Sequence, residues 1–335
     1  MFATFGDMAS AFHSRTMSAR LKSDMTRLGV ELTTGIKTNI GAAVSGDFGP
    51  IAGIEHSLKT LESYKVATDE ASTFASAMQY SLGAIQTQSQ ELSSGLLSAT
   101  TSRGATLINA TAHDAEQKFL SIVSQLNTNV MGRSLFSGAA TDRPALAKGE
   151  DMLAALKVEI AGETTAAGVS ARIDAWFDDP GGGFETVGYL GSDNPAGPIR
   201  LGNGETAELD MQADNQEIRD VLKAIAKSAV MADGALDGRI DEQLLLTKTA
   251  GEGLLTANDS FTLARANVGA LEARIENVST RNEAEKSALE ISRNELIAAD
   301  PYDTATELKA AYGQLESLYT VTARMSQLKF TDYMR

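Results

Sequence analysis

The sequence predicts a mainly α fold: an elongated rod of long antiparallel helices with the N- and C-terminal helices paired, plus a small outer insert domain containing a β-hairpin. Residues 51–143 and 199–300 contain no proline, which leaves room for long helices, because proline breaks helix interiors. Near both ends of the chain, apolar residues recur at heptad spacing, which is typical of paired helices. Only the middle of the chain is rich in glycine and proline, which indicates turns.

Composition limits the possible functions. Hydrophobic residues make up 43% of the 335 residues, which is typical of a folded protein rather than a disordered one. The formal net charge of -15 disfavours binding to nucleic acid or to a membrane surface, since phosphates would repel the chain. With no cysteine and three histidines far apart, we expect no cofactor and no metal. We also expect no membrane span and no cleavable secretory signal.

The first predicted helix extends to about Thr34, and Gly35 is suited to end it. Its apolar residues form two sets at heptad spacing: Phe5, Phe12 and Ala19, and then Leu21, Met25, Leu28 and Leu32. The phase slips between the two sets, so they do not form one uninterrupted seam. A loop is expected over residues 40–53.

Two further helices follow. The second is expected to begin near Pro50 and to weaken around Gly95 and residues 98–104. The third has a seam and is expected to end near Gly132. The seam consists of Ala115, Phe119, Ile122, Leu126 and Val130.

Residues 138–214 differ from the helical parts and form the predicted outer insert. They contain four of the six prolines, with Pro180, Pro195 and Pro198 close together, the run 181–183 of three glycines, and Trp176. Apolar and polar residues alternate over 199–211, with Asn203-Gly204 between the two arms, which predicts a β-hairpin. A short helix is expected over 151–160.

Helix resumes at 216–231 and again at about 235–299, where Asp300-Pro301 interrupts it. The last helix, 304–327, has a nearly complete seam, namely Leu308, Ala311, Leu315, Leu318, Thr322, Met325 and Leu328. Tyr312, Tyr319, Val321 and Phe330 lie off that seam. A helix that is apolar on more than one side is normally buried on more than one side. This favours packing between subunits over the alternative, a two-helix contact that only stabilises the single chain.

The candidate assembly interface therefore lies on the two terminal helices. Its predicted seam residues are Phe5, Phe12, Leu21, Met25, Leu28, Leu32, Leu308, Leu315, Leu318, Met325 and Leu328.

No candidate for catalysis stands out, and we expect that the protein is not an enzyme. His56, with Glu55 and Glu62 nearby, is read as part of a solvated helix face. Asp178-Asp179-Pro180 and the glycines after it lack the alternating order of a calcium loop. An enzyme with its active site in the insert is an open alternative, although no histidine lies there and no nucleophile and base are evident.

Three stretches resemble the flagellin superfamily. "LGVELTTGIK" (28–37) resembles the pattern L-x-x-x-L-x-T-G-x-[KR], and "GRSLFSGAAT" (132–141) resembles G-R-Y-L-F-S-G with Ser134 in place of Tyr. "ARANVGALEARIE" (264–276) resembles A-R-x-x-V-G-A-R-x-N-R. The end of the chain, 300–335, is most similar to the hook–filament junction branch, hook-associated protein 3, and lacks the Q-A-N stretch and Leu-Leu ending of flagellins. The loop "SGDFGPIAGI" (45–54) departs from the common S-x-x-D-D-P-A-G form.

The resemblance implies a structural protein of the bacterial flagellum, secreted by the type III export apparatus and placed at the distal end of the hook. The implied partners are its own copies in a ring oligomer, hook-associated protein 1, flagellin and a flagellar export chaperone. The alternative is flagellin itself, the abundant filament subunit. Three domains are expected: an inner coiled-coil-like domain of 1–40 with 300–335, a helical rod domain of 41–137 with 215–299, and the outer domain 138–214.

Overall fold

The computed structural model describes residues 5–102 and 104–328, and this part of the chain is mainly helical with small β-hairpins, as predicted. Contacts divide the chain into two compact units, Met1–Glu62 with Ala284–Arg335, and Ser63–Glu283. The three-domain division stays a prediction.

The α-helices are α1 (Phe5–Thr34), α2 (Ile40–Ala43), α3 (Gly49–Ser102), α4 (Ala105–Leu126), α5 (Gly149–Glu159), α6 (Ala166–Asp178), α7 (Gln216–Ala229), α8 (Ile240–Ile297) and α9 (Pro301–Leu328). The strands are β1 (Asn129–Val130), β2 (Arg133–Ser134), β3 (Ile199–Gly202) and β4 (Glu205–Ala207).

In the first unit, α1 packs along α9, and the sequence signals for their ends are confirmed. Gly35 follows the last residue of α1 with φ +70°, a conformation that favours glycine. At the start of α9, Asp300 Oδ1 accepts hydrogen bonds from the backbone N–H groups of Tyr302 (2.8 Å) and Asp303 (3.1 Å). Pro301 is tolerated because it lies in the first turn. The expected loop 40–53 instead contains the short α2 and the beginning of α3.

The second unit holds a large apolar core. Helix α4 packs against α7, and α7 also packs against α6. The largest side chains that are completely enclosed include Phe119, Phe136, Phe177, Phe184 and Phe261. All four seam residues of α4 from Ala115 to Leu126 are buried there.

Polar side chains join α3 to α8 within the second unit. Arg265 donates from Nε to Gln79 Oε1 (3.1 Å) and from Nη1 to Gln86 Oε1 (2.7 Å). Ser89 Oγ donates to Asn258 Oδ1 (2.9 Å) in a buried position. These paired polar groups favour one register of the two helices, because a shift of one turn would leave Ser89 and Asn258 buried without each other as partners.

The predicted hairpin is confirmed: β3 and β4 pair antiparallel around Asn203-Gly204, with Gly204 at φ +76°. The predicted short helix is α5. Helix α6 was not predicted; it begins where Thr165 Oγ1 accepts from the Gly168 N–H (3.1 Å). The α6 aromatic ring of Trp176 packs edge-on against Phe177, with ring centroids 4.8 Å apart.

Helix α4 ends at Leu126 rather than near Gly132. The side chain of Asn127 donates to the carbonyl of Leu146 (2.9 Å) and accepts from its N–H (2.8 Å), which ties the helix end to the insert. The chain then forms the β1–β2 hairpin, whose turn residues Met131 and Gly132 have φ of 54° and 81°.

Candidate assembly interface

Helices α1 and α9 run antiparallel, since contacts near opposite ends of the two helices fix their direction. Lys22 Nζ lies 6.0 Å from the centroid of the Tyr319 ring. At the other end, Ile36 pairs with Ala298 in an antiparallel β-bridge. The two helices are therefore joined by side-chain packing along their length and by backbone hydrogen bonds between the segment after α1 and the segment before α9.

The β-bridge joins the chain just after α1 to the chain just before α9. The backbone N–H of Lys37 donates to the carbonyl of Ile297 (2.8 Å), and that of Ala299 donates to the carbonyl of Gly35 (2.9 Å). These bonds connect the segment after α1 with the segment before α9. No local pattern in the sequence predicts this pairing, because the two segments are short and far apart in the chain.

A buried carboxylate also stabilises the region where α1 ends. Glu31 is only 5% exposed, and its carboxylate accepts from Arg27 Nη1 (3.1 and 3.2 Å) and from the backbone N–H of Thr38 (2.9 Å). Burial alone would raise the pKa of Glu31, but the hydrogen bonds from Thr38 and Arg27 and the charge of Arg27 outweigh it and lower the pKa. Glu31 therefore stays ionised and links the end of α1 to the chain beyond Gly35.

The predicted seam residues divide between two surroundings. Leu21 and Leu28 are buried, and Met25, Leu308, Leu315 and Leu318 are partly buried. In contrast, Phe12 is 73% and Leu32 is 39% exposed. The side chains of Phe5, Met325 and Leu328 lie outside the described part of the structure.

The phase slip in the first helix now has a geometric reason. Nine residues separate Phe12 from Leu21, and at 100° per residue they point in opposite directions. The second set, around Leu21 and Leu28, faces α9. The first set, with Phe12 and Ala19, points away from it.

Both helices keep large apolar side chains outside their mutual contact. On α1 these include Met8, Phe12 and Val30, and on α9 Tyr312 and Val321, each more than 40% exposed. Tyr319 is also 51% exposed, but its ring contacts Lys22 of α1. Phe330, which the sequence also placed off the seam, lies outside the described residues. A pair of helices with this much exposed apolar surface is typical of an interaction site.

Among the described residues, no group of three or more histidine or acidic side chains is placed to hold a metal ion. His113 Nδ1 lies 3.4 Å from Glu116 Oε2 in an exposed position. The described helices also include none with the length and apolar character to span a bilayer.

A surface cleft in the second unit was not predicted. It is lined by Phe184, Glu185, Tyr189, Asp214 and Arg219, among others. The guanidinium of Arg219 lies over the Phe184 ring, 5.1 Å from its centroid. Burial raises the pKa of the Asp214 carboxyl, whose Oδ1 has no hydrogen-bond partner.

Residues 253–334 match the family model of the bacterial flagellin C-terminal helical region. The fold is similar to the crystal structure of Bacillus cereus FlgL, with a TM-score of 0.51, 14% identity, and coverage of 72% of this chain and all of that one. A structure assigned to the flagellar hook-associated proteins, from Vibrio parahaemolyticus, aligns with a TM-score of 0.40 and 13% identity, over 71% of this chain and 94% of that one. No curated protein gives a significant match. The chain is therefore flagellin-like in its C-terminal helical region and has a fold similar to that of FlgL.

Proposed function

We propose that the protein is a structural subunit of the bacterial flagellum, a hook–filament junction protein that adapts the hook to the flagellin filament. The observation that carries this proposal is the helix pair α1–α9, in which each helix packs one face on the other and exposes large apolar side chains elsewhere. Helix α9 lies inside the region that matches the flagellin model. The likeness to FlgL supports the fold of such a subunit.

The proposed partners follow from this role. Copies of the chain would form a ring at the distal end of the hook, outside the cell, with hook-associated protein 1 on one side and flagellin on the other. A flagellar export chaperone would hold the subunit before export. The role is one of assembly rather than catalysis.

Within the assembly, the predicted seam residues would have two tasks. Leu21, Leu28 and Leu315 would hold α1 against α9, and exposed residues such as Phe12 would contact other subunits. An apolar side chain that leaves water contributes about 1.5–3 kcal/mol. In a ring, each such contact recurs in every subunit, so one substitution has a large effect on assembly.

The test is complementation of a strain that lacks the gene. Wild-type protein should be found by immunogold labelling at the hook tip and should restore filaments. The double variant Leu315→Asp and Leu318→Asp should be made and exported normally but should leave flagellin in the medium. A matched control is Leu263→Asp, because Leu263 is 66% exposed in the second unit. Full-length filaments with the double variant would contradict the proposed role of the helix pair.

Flagellin is the second candidate function, because the matching family model is that of the flagellin C-terminal region. Copy number separates the two candidates. A junction protein is rare in isolated flagella and confined to one position, whereas a filament subunit is abundant and labels the whole filament.

A further inference from the structure

The face of α1 that points away from α9 carries no charge at seven successive positions. We name this face the outer stripe; its residues are Phe12, Thr16, Ala19, Ser23, Thr26, Val30 and Thr33, all of them exposed. Their spacing alternates between four and three residues, as in the seam of a coiled coil. The opposite face of α1 is occupied by α9, so the outer stripe is a second, unpartnered seam on the same helix.

The threonines make this stripe less polar than its composition indicates. Their hydroxyls donate to backbone carbonyls one turn earlier: Thr16 to Phe12 (3.0 Å), Thr26 to Lys22 (3.0 Å) and Thr33 to Gly29 (2.9 Å). Because these donors are already satisfied within the helix, burying the threonines leaves no unpaired hydroxyl proton.

The residues beside the outer stripe are basic. Arg15 and Lys22 lie along one edge, and Arg20 and Arg27 lie along the other. Arg15 and Arg20 have no ion-pair partner in the described structure, whereas Arg27 binds Glu31. The same stripe of a second copy cannot cover this face, since like charges would then meet.

The last turns of α8 have the complementary surface in the same unit. Ala284, Ala288 and Ile291 form an exposed stripe, and Ile291 is 60% exposed. Glu285 flanks this stripe and Glu295 continues it, and both are exposed and form no ion pair in the described structure.

The basic residues of this segment are already paired. Lys286 binds Glu62 (2.8 Å) and Arg293 binds Glu55 (3.4 Å). The end of α8 therefore presents free carboxylates without free cations.

We infer that the outer stripe of α1 packs against residues 284–296 of α8 in a second copy of this chain. The inference rests on the proposed function, which requires copies to assemble. The contact is heterologous, because different surfaces meet, so each copy offers one free α1 and one free α8 end and the contact repeats from copy to copy. The free arginines and glutamates orient the two helices.

A charge exchange tests this contact in the purified full chain. Self-association is measured by sedimentation velocity at low salt, where surface charges are least screened. Arg20→Glu and Glu285→Arg should each weaken it by about fivefold, the upper end of the range for one exposed ion pair. The double variant should restore it, because every contact joins α1 of one copy to α8 of the next. Lys309→Glu changes the net charge by the same amount as Arg20→Glu on an exposed position of α9 and should have no effect.

Cysteine cross-linking gives a second measurement. Because the sequence contains no native cysteine, only the introduced cysteines can form a disulfide. On mixing and oxidation, Ser23→Cys and Ser287→Cys chains should form a mixed disulfide. Ser23→Cys with Ser94→Cys, an exposed position on α3, should not. If the wild type stays monomeric at the highest attainable concentration and no mixed disulfide forms, or if the double charge variant is not restored, the inference is wrong. A chain that still labels the hook tip in that case keeps the proposed function and loses only this interface.

Discussion

Helices α1 and α4 carry the same kind of heptad seam and meet different surroundings. The seam of α4 is enclosed by α7 and by the rest of the core of the second unit, and Phe119 and Leu126 are completely buried. Among the described seam residues of α1, only Leu21 and Leu28 are buried, because α9 is the one helix packed along α1 in the described structure. The same spacing therefore specifies a face and leaves the number of partners open. A seam that is only half covered is suited to assembly.

The largest expected difference comes from a truncation in each seam. Phe119→Ala should lower the free energy of unfolding of the second unit by about 3–5 kcal/mol, because it removes an enclosed aromatic ring. Trp176, the single tryptophan, is 5% exposed in that unit, so its fluorescence during urea unfolding reports the loss. Leu315→Ala in α9 should leave this transition unchanged. Equal shifts for both variants would show that the two seams are equally enclosed.

A second substitution loosens the helix pair itself. Leu28 is 3% exposed, and Leu28→Ala should cost about 2 kcal/mol in the contact with α9. Amide hydrogen exchange should become faster in α9 and stay unchanged in α4. Leu32→Ala is the matched control on the same helix, because Leu32 is 39% exposed and its truncation should cost less than about 0.5 kcal/mol. Slow exchange in α9 of the Leu28 variant would mean that other contacts hold the pair.

Much of this comparison could be predicted from local sequence. Gly35, Asp300-Pro301 and Asn203-Gly204 each fix backbone geometry within a few residues, and the structure has the expected helix ends and hairpin there. The pairing of the terminal helices followed from their seams. The flagellin-like C-terminal region was identified from short motifs.

The missing parts depend on contacts between distant residues. Helix α6 lies among glycines and prolines, and its Trp176 and Phe177 rings pack on Phe184, which lies beyond the end of the helix. Glu31 gave no signal, since a glutamate in a helix is normally solvated. Its role becomes visible only when the chain beyond Gly35 brings the Thr38 N–H to it.

The response to acid should differ between the two units, and in the first unit it should depend on Glu31. Its pKa is lowered in the fold, so its contribution to stability is present above the ordinary carboxyl range near 4.5 and is lost as pH falls through the lowered pKa. The protection of the amides of residues 35–38, measured against the intrinsic exchange rate at the same pH, should therefore fall in acid. Glu31→Gln should show the faster exchange already at neutral pH and little further change. Asp24→Asn, at a carboxylate 3.8 Å from Arg27 and 46% exposed, should leave the acid response intact.

The smallest expected effect is at Asp214 in the second unit, where the sign is reversed. Burial is the main cause that raises the pKa of this carboxyl; its own backbone hydrogen bond and the charge of Arg219 oppose the rise only in part. Because the folded pKa lies above the unfolded value near 3.8, this group makes the unit less stable as pH rises from that value through the raised pKa.

Asp214→Asn removes the charge and keeps the shape, so the urea midpoint reported by Trp176 should rise slightly at neutral pH. The difference from wild type should disappear in acid. Asp210→Asn, at an exposed carboxylate nearby in sequence, should leave the midpoint unchanged. A lower midpoint for Asp214→Asn at neutral pH would mean that the ionised carboxylate stabilises the unit through Arg219, and the contrast with Glu31 would then be lost.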